Sequence, residues 1–201
     1  MNILITAHPY LYASILSSFK SLKMDVNEIN LQLVDNYNYE SISIKPDPDN
    51  TYYFFGNGAF NNYGRIKVFS ELMAVGIKPQ AFFHSTSMLH ESVKVAIGSA
   101  IYSNTIIEEN TSIGFNTIIA PNVIISKNVT IGNNCFIGSN TIIEEGVSIE
   151  SNSYITSGCR LNEKIKIGKD VVIRDSRVIA ESIITGTIID SSIGDFVQII
   201  R

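Results

Sequence analysis

Residues 81–201 predict a left-handed parallel β-helix of hexapeptide coils, preceded over residues 1–80 by a small Rossmann-like α/β domain, so the chain is mainly β. Three sequence columns held in one register carry the β-helix. The first places a large apolar residue at every sixth position: Phe83, Leu89, Val95, Ile101, Ile107, Ile113, Ile119, Ile125, Ile131, Ile137, Ile143, Ile149, Ile155, Leu161, Ile167, Ile173 and Ile179. Helices repeat every 3.6 residues and half-buried strands every 2, so an unbroken period of six marks a hexapeptide solenoid. Two residues before each comes a small or β-branched one: Thr105, Thr111, Thr117, Val123, Val129, Cys135, Thr141, Val147, Ser153 and Cys159. Such side chains fill the inner corner of a narrow prism without overpacking it. Three residues after each large residue stand Asn104, Asn110, Asn116, Asn122, Asn128, Asn134, Asn140, Gly146, Asn152 and Gly158. Asn and Gly tolerate positive φ best, so this third column is the recurring left-handed turn between flat faces.

Three hexapeptides make one triangular coil, so residues 18 apart stack, about 4.8 Å from one rung to the next. Cys135 and Cys159 belong to the small column and are 24 apart, which places them on neighbouring faces as inward free thiols. Past Ile179 the period of six ends. Apolar pairs at Val178–Ile179, Ile183–Ile184 and Ile188–Ile189, five apart, predict shorter-sided coils that also cap the open end of the helix.

The N-terminal 80 residues read as strand NILITA, helix LYASILSSFKSL, a weak strand around Leu31–Val34, a polar loop, strand TYYFF, loop GNGAFNNYG, helix RIKVFSELMAVG and a short strand PQAFF. This β-α-β-β-α-β outline predicts a small parallel sheet. Ligands of such sheets sit at the carboxyl ends of the strands, here the loops His8–Tyr10 and Gly56–Asn62, with His8, Gly56, Asn57 and Asn62 as substrate-side candidates. GNG alone is also an ordinary strand-to-helix turn.

Composition narrows the function classes. A net charge of −4 with scattered Lys and Arg gives no basic patch for nucleic acid. No apolar run reaches the roughly 20 residues of a membrane span, and the N-terminus has no basic stretch ahead of its apolar residues. A cytoplasmic protein without a membrane partner is expected. His8, His84 and His90 lie ahead of the body of the β-helix, which removes the basis for a histidine metal site within it, and no metal is expected.

The segment FFGNGAFNNYGRIKVFSELMAVGIKPQAFFHSTSM resembles that of the bacterial sugar O- and N-acyltransferases of the sialic acid O-acetyltransferase and bacillosamine N-acetyltransferase group. In that family it runs from strand to Asn-rich loop, Arg-started helix and Gly, then to an IHPSA-like start of the first coil, with His84 on the histidine. The resemblance implies a homotrimer, acetyl-CoA or another acyl-CoA as co-substrate in a groove between adjacent β-helices, and a nucleotide-linked sugar approaching from the N-terminal domain. The family's catalytic stretch reads IEHD or IEHE, then SHIAPG, then LAGG. Here it is TIIEEGVSIESNSYITSGCRLNEKIKIG. Glu145 takes the position of the general-base histidine and Gly146 that of its acidic neighbour. Tyr154 takes the second histidine's place and Glu163 that of the motif glycine. Glu145, Tyr154 and Glu163 are therefore the catalytic candidates, and Gly158 the cofactor-side one. The family's GxSGHG loop is replaced by AHPYLYAS, and its C-terminal GxPA segment is missing.

Glu145 supports two readings. In one, Glu91, Glu109, Lys127, Glu145 and Glu163, stacked 18 apart, form a solvated charge ladder worth a few tenths of a kcal/mol per pair. In the other, Glu145 is the base, with stacked Glu163 raising its pKa. A carboxylate suits an amine nucleophile better than a hydroxyl, so acylation of an amino sugar in surface-polysaccharide or glycoconjugate synthesis is expected over O-acylation. The rival is a non-catalytic trimeric homologue that binds or assembles. Outward aromatics such as Phe115 and Phe136 are expected on the prism faces, where a second copy would cover them.

Overall fold

The computed structural model describes residues 2–6, 26–30, 45–55 and 62–198. From Phe82–Phe83 (β4) to Val178–Ile179 (β20), two-residue strands recur every six residues and stack in parallel 18 apart. They build three sheets, the faces of a prism. Face 1 starts at β4, face 2 at Met88–Leu89 (β5) and face 3 at Lys94–Val95 (β6). The chain is thus a parallel β-solenoid. Every position of the turn column from Asn104 to Gly158 has positive φ, and Gly98, Lys164 and Asp170 extend it at both ends. The large and small columns close the core together: Ile101 to Ile173 and Thr105 to Cys159 are buried. At Phe82–Phe83 the pattern inverts. Phe83 is 43% exposed, whereas its outward neighbour Phe82 is buried against Tyr53 and Tyr102 at the junction with the N-terminal unit.

Small polar residues belong in this core because the coil supplies their partners. Thr105, Thr117 and Thr141 donate to main-chain carbonyls 15 residues on, at 2.9–3.2 Å. A second glycine column, unread in the sequence, follows the large one. At Gly138 a Cβ would fall 2.3 Å from the amide of Ser157 on the next rung, so the coils approach too closely there for any side chain. Cys135 and Cys159 are free and buried.

Beyond β20 the sides shorten as expected. Ile183 bridges Ile167, and β21 (Thr187–Asp190) stacks on Val172–Ile173 of face 1. β22 (Gly194–Gln198) folds back antiparallel to cover that edge. Asp190 accepts from Arg174 at 3.1 Å and from the amide and hydroxyl of Ser192, which tie the closing hairpin.

Ahead of the solenoid, β1 (Asn2–Thr6) lies between β2 (Val26–Asn30) and β3 (Thr51–Phe55), all parallel. The second strand comes earlier than the expected Leu31–Val34, which lies outside the described residues, as does the expected helix LYASILSSFKSL. The helix α1 runs from Asn62 to Ala74, so Asn62 opens a helix instead of closing a loop. Its buried Val68, Phe69 and Leu72 pack with Ile5, Tyr52, Phe54 and Ile77. Phe115, expected on an open face, is stacked on Phe69 with ring centres 5.6 Å apart and so belongs to this second core.

Candidate functional site

The three corners of the prism share one turn chemistry and differ in what covers them. At the corner between faces 2 and 3, Glu145 sits in the turn between Ile142–Ile143 and Ser148–Ile149. Its carboxylate lies 3.8 Å from Lys127 Nζ and accepts from Asn128 Nδ2 at 3.3 Å, while both ion-pair partners stay over 40% exposed. Glu163 is one rung further along and pairs with Lys164 at 3.8 Å. The sequence reading passed over Glu144, which accepts from Arg160 Nε at 2.8 Å and from the Glu163 amide at 3.0 Å. Glu108 and Glu150 likewise accept the amides of Lys127 and Lys169, at 3.1 and 3.0 Å. A glutamate directly after an inward isoleucine thus closes the turn one rung on; that recurrence was the sequence signal.

Tyr154 lies on face 1, opposite that corner, half-buried and stacked on Phe136 with centres 5.1 Å apart and planes 8° apart. Gly158 occupies the corner between faces 1 and 2, exposed, with φ of 74° and Ser176 filling the space a side chain would take. One protomer therefore brings Glu145 and Glu163 to one corner, and leaves Tyr154 and Gly158 on other sides of the prism. His8, Gly56 and Asn57 lie outside the described residues.

The third corner, between faces 3 and 1, is covered. Asn116, Asn134, Asn152 and Asp170 form a side-chain ladder at 2.9–3.1 Å per step. The start of α1 lies on it. Asn62 Nδ2 donates to the Asn152 carbonyl at 3.0 Å, and the Asn62 carbonyl accepts from Asn134 Nδ2 at 2.9 Å. Arg65, 1% exposed, donates to the carbonyls of Asn116 at 3.2 Å and Cys135 at 3.0 Å. A buried cation on main-chain acceptors has no sequence signature beyond a lone Arg in an amphipathic helix. Beside it runs a groove of about 620 Å³, walled by Ile66 and Phe115 and lined by Asn133, Asn152, Glu150 and Lys169 among others. Hydrogen bonding to Lys166, the largest cause, holds the Glu150 carboxyl below its usual range.

His84 Nδ1 accepts from the Thr86 amide at 3.2 Å, and His90 Nδ1 from the Ser92 amide at 3.2 Å, which puts each ring proton on Nε2 and makes both rings turn-closing residues. Burial pushes the Cys135 thiol up to about 11, so it stays protonated and inert. Among the described residues, no group of three His, Cys, Asp or Glu is placed to hold a metal, and no helix is long and apolar enough to cross a membrane.

Residues 110–145 match the family described as bacterial transferase hexapeptide (six repeats). By sequence, no curated protein matches the chain. By structure, 94% of the chain aligns with 92% of a mutant perosamine N-acetyltransferase from Caulobacter crescentus in complex with CoA and GDP-perosamine, at a TM-score of 0.79 and 16% identity. The acetyltransferase domain of PglB from Neisseria gonorrhoeae gives 0.80 at 13% identity, over 93% of this chain and 95% of that one. WeeI from Acinetobacter baumannii gives 0.62 at 14% identity, over 94% and 96%. At such identities the likeness is one of fold, and it extends over nearly the whole chain.

Proposed function

We propose that this chain is an acyl-CoA-dependent acyltransferase, acetyl being the expected group, that acylates the amino group of a nucleotide-linked sugar in surface-polysaccharide or glycoconjugate synthesis. One observation carries the reading. The likeness to sugar N-acetyltransferases takes in the N-terminal parallel sheet, α1 and the solenoid together, and a hexapeptide helix alone would align over little more than half of the chain. The same likeness supports a left-handed helix, and a Rossmann-like unit over residues 1–80 joined to the solenoid at 81.

The groove beside α1 is offered as the acceptor side. Its volume of about 620 Å³ lies within the range of small-molecule sites. Ser151 lines the groove with a hydroxyl that can meet a sugar or base, and Lys169 presents a cation to a diphosphate. In the reaction, the amine nitrogen attacks the thioester carbonyl carbon. A C–N bond forms, the C–S bond breaks, and CoA leaves as the thiolate. Glu145, exposed beside Lys127 and Asn128, accepts the proton that the nitrogen gives up and releases it through solvent to the CoA thiolate, giving the thiol. Gly158, at the exposed corner beside Ser176, is offered as the acyl-CoA side.

The apolar column of face 2 supports assembly with further copies, a homotrimer being the expected form. The outward column of this face is Met88, Ile106, Ile124, Ile142, Arg160 and Val178, with Met88 and Val178 each 60% exposed. The outward column of face 3 is Lys94, Ser112, Thr130, Ser148 and Lys166. Burying the apolar column against a neighbouring copy contributes about 1 kcal/mol or more per side chain. A trimer also brings Glu145 of one copy toward surfaces of another, as a site dispersed over one protomer needs.

Calorimetric titration with acetyl-CoA, followed by a free-thiol assay with UDP- and GDP-linked amino sugars, tests the reading. Saturable binding and thiol release that depends on the amino sugar are expected. Failure of both would leave the rival, a trimeric binding or assembly protein in which the Lys127–Glu145 pair is a solvated ladder. Sedimentation as a monomer at micromolar concentration would remove the trimer.

A further inference from the structure

We propose that α1 is a register key: it fixes the N-terminal unit on one particular rung of the solenoid, and Arg65 is the positioning residue at its centre. The need for a key follows from the repeat. A solenoid surface recurs at about 4.8 Å per rung, so an apolar helix laid along it meets nearly the same contacts after sliding by one rung. The pitch of an α-helix is about 5.4 Å, close enough to that spacing for each turn of α1 to face one rung. Phe69 lies over Gly98, Arg65 reaches Asn116 and Cys135, and Asn62 reaches Asn134 and Asn152.

Asn62 cannot select the rung, because Asn116, Asn134 and Asn152 offer the same groups in succession. The contact of Phe69 with Gly98 can, and Arg65 sharpens it. Gly98 stands in the turn column with φ of 68°, where a Cβ would fall 2.3 Å from Phe69 Cε2. Shifted by one rung, the same ring would meet the side chain of Asn116. Arg65 holds α1 at whole rungs. Its guanidinium is buried and bridges two rungs through main-chain carbonyls that recur every 18 residues, so a helix lying between rungs leaves a buried cation without acceptors, at a cost that apolar packing does not impose.

The key has a consequence that rests on the acyltransferase reading. The groove offered as the acceptor side is walled by Ile66 of α1 and Phe115 of the solenoid, so the register of α1 sets its shape.

The test uses Gly98→Asn, because Asn is the usual residue of this column and takes positive φ there, so the coil itself tolerates the change. Spin labels at exposed Lys67→Cys and Glu181→Cys report the axial position of α1 along the solenoid by electron–electron double resonance. Gly98→Asn and Arg65→Met should shift or broaden that distance by about one rung, ~4.8 Å. Arg65→Lys should retain more of the native distribution than Arg65→Met. If wild type binds acetyl-CoA and turns over an amino sugar, both displaced variants should raise the amino-sugar KM tenfold or more and leave acetyl-CoA affinity within about twofold. A native distance distribution in both Gly98→Asn and Arg65→Met overturns the key. A shifted distance with native KM and kcat overturns its positioning role. A shifted distance in a protein that never binds acetyl-CoA upholds the key and removes the acyltransferase reading instead.

Discussion

Two corners of the same prism, built from the same column of asparagines, have opposite fates. At one, Asn110, Asn128 and Gly146 adopt φ of 56°, 60° and 70°; at the other, Asn116, Asn134 and Asn152 adopt 53°, 55° and 64°. The backbones are interchangeable. Yet Asn116 and Asn134 are 1% exposed beneath α1, while Asn128 stands in solvent and hands its amide to Glu145. A hexapeptide repeat dictates local conformation everywhere alike. Which corner is sealed and which stays open to solvent depends on where the non-repetitive unit docks.

The contrast breaks most readily at the open corner. Glu145→Gln keeps the shape and the contact with Asn128 but removes the proton acceptor. Amino-sugar acylation should fall by roughly 10²–10⁴-fold, with acetyl-CoA affinity unchanged. Loss of CoA binding in calorimetry would assign Glu145 a structural role, and an unchanged rate would make the Lys127 pair its whole purpose.

At the sealed corner the expected loss is one of stability. Asn134→Val forces a β-branched residue to positive φ and strands the bonds to the Asn62 carbonyl and Asn152. Left-handed strain of about 1–2 kcal/mol adds to about 1–3 kcal/mol for buried groups left unpaired, and urea unfolding measures the sum. Asn128→Val at the open corner should cost only the strain, about 1–2 kcal/mol, and Asn128→Gly should be nearly neutral. Equal losses for the two valine variants would mean that docking adds nothing to the column.

The smallest effect concerns acid. Glu150 borders the groove and is held below its usual carboxyl range first by Lys166, which lies 2.7 Å away. The lowered folded value means that the pair stabilises the protein above the ordinary carboxyl pKa of about 4.3 and ceases to do so as pH falls through the folded value. Lys166→Met should flatten that acid-side fall in melting temperature while leaving Asn128 variants unaffected. An identical profile to wild type would show the pair to be neutral.

The sequence alone determined the solenoid, because each hexapeptide solves its own conformational problem. An isoleucine points in, a threonine or cysteine fills the corner, and an asparagine takes the left-handed turn, with no reference to distant residues. The columns ending at Asn152 and Gly158, the two inward thiols and the shortened coils after Ile179 all followed from that local logic. Glu145 was legible only as a departure from a motif, and its partners Lys127 and Asn128 only as neighbours in an 18-residue stack. Tertiary structure alone decided that Phe115 belongs under α1, that Asn62 starts a helix, and that Arg65 is buried between two rungs. It also decided that Tyr154 lies across the prism from Glu145. The physical reason is translational degeneracy: a repeat offers many equivalent rungs, and one rung differs from the next only where a residue departs from its column, as Gly98 does beneath Phe69.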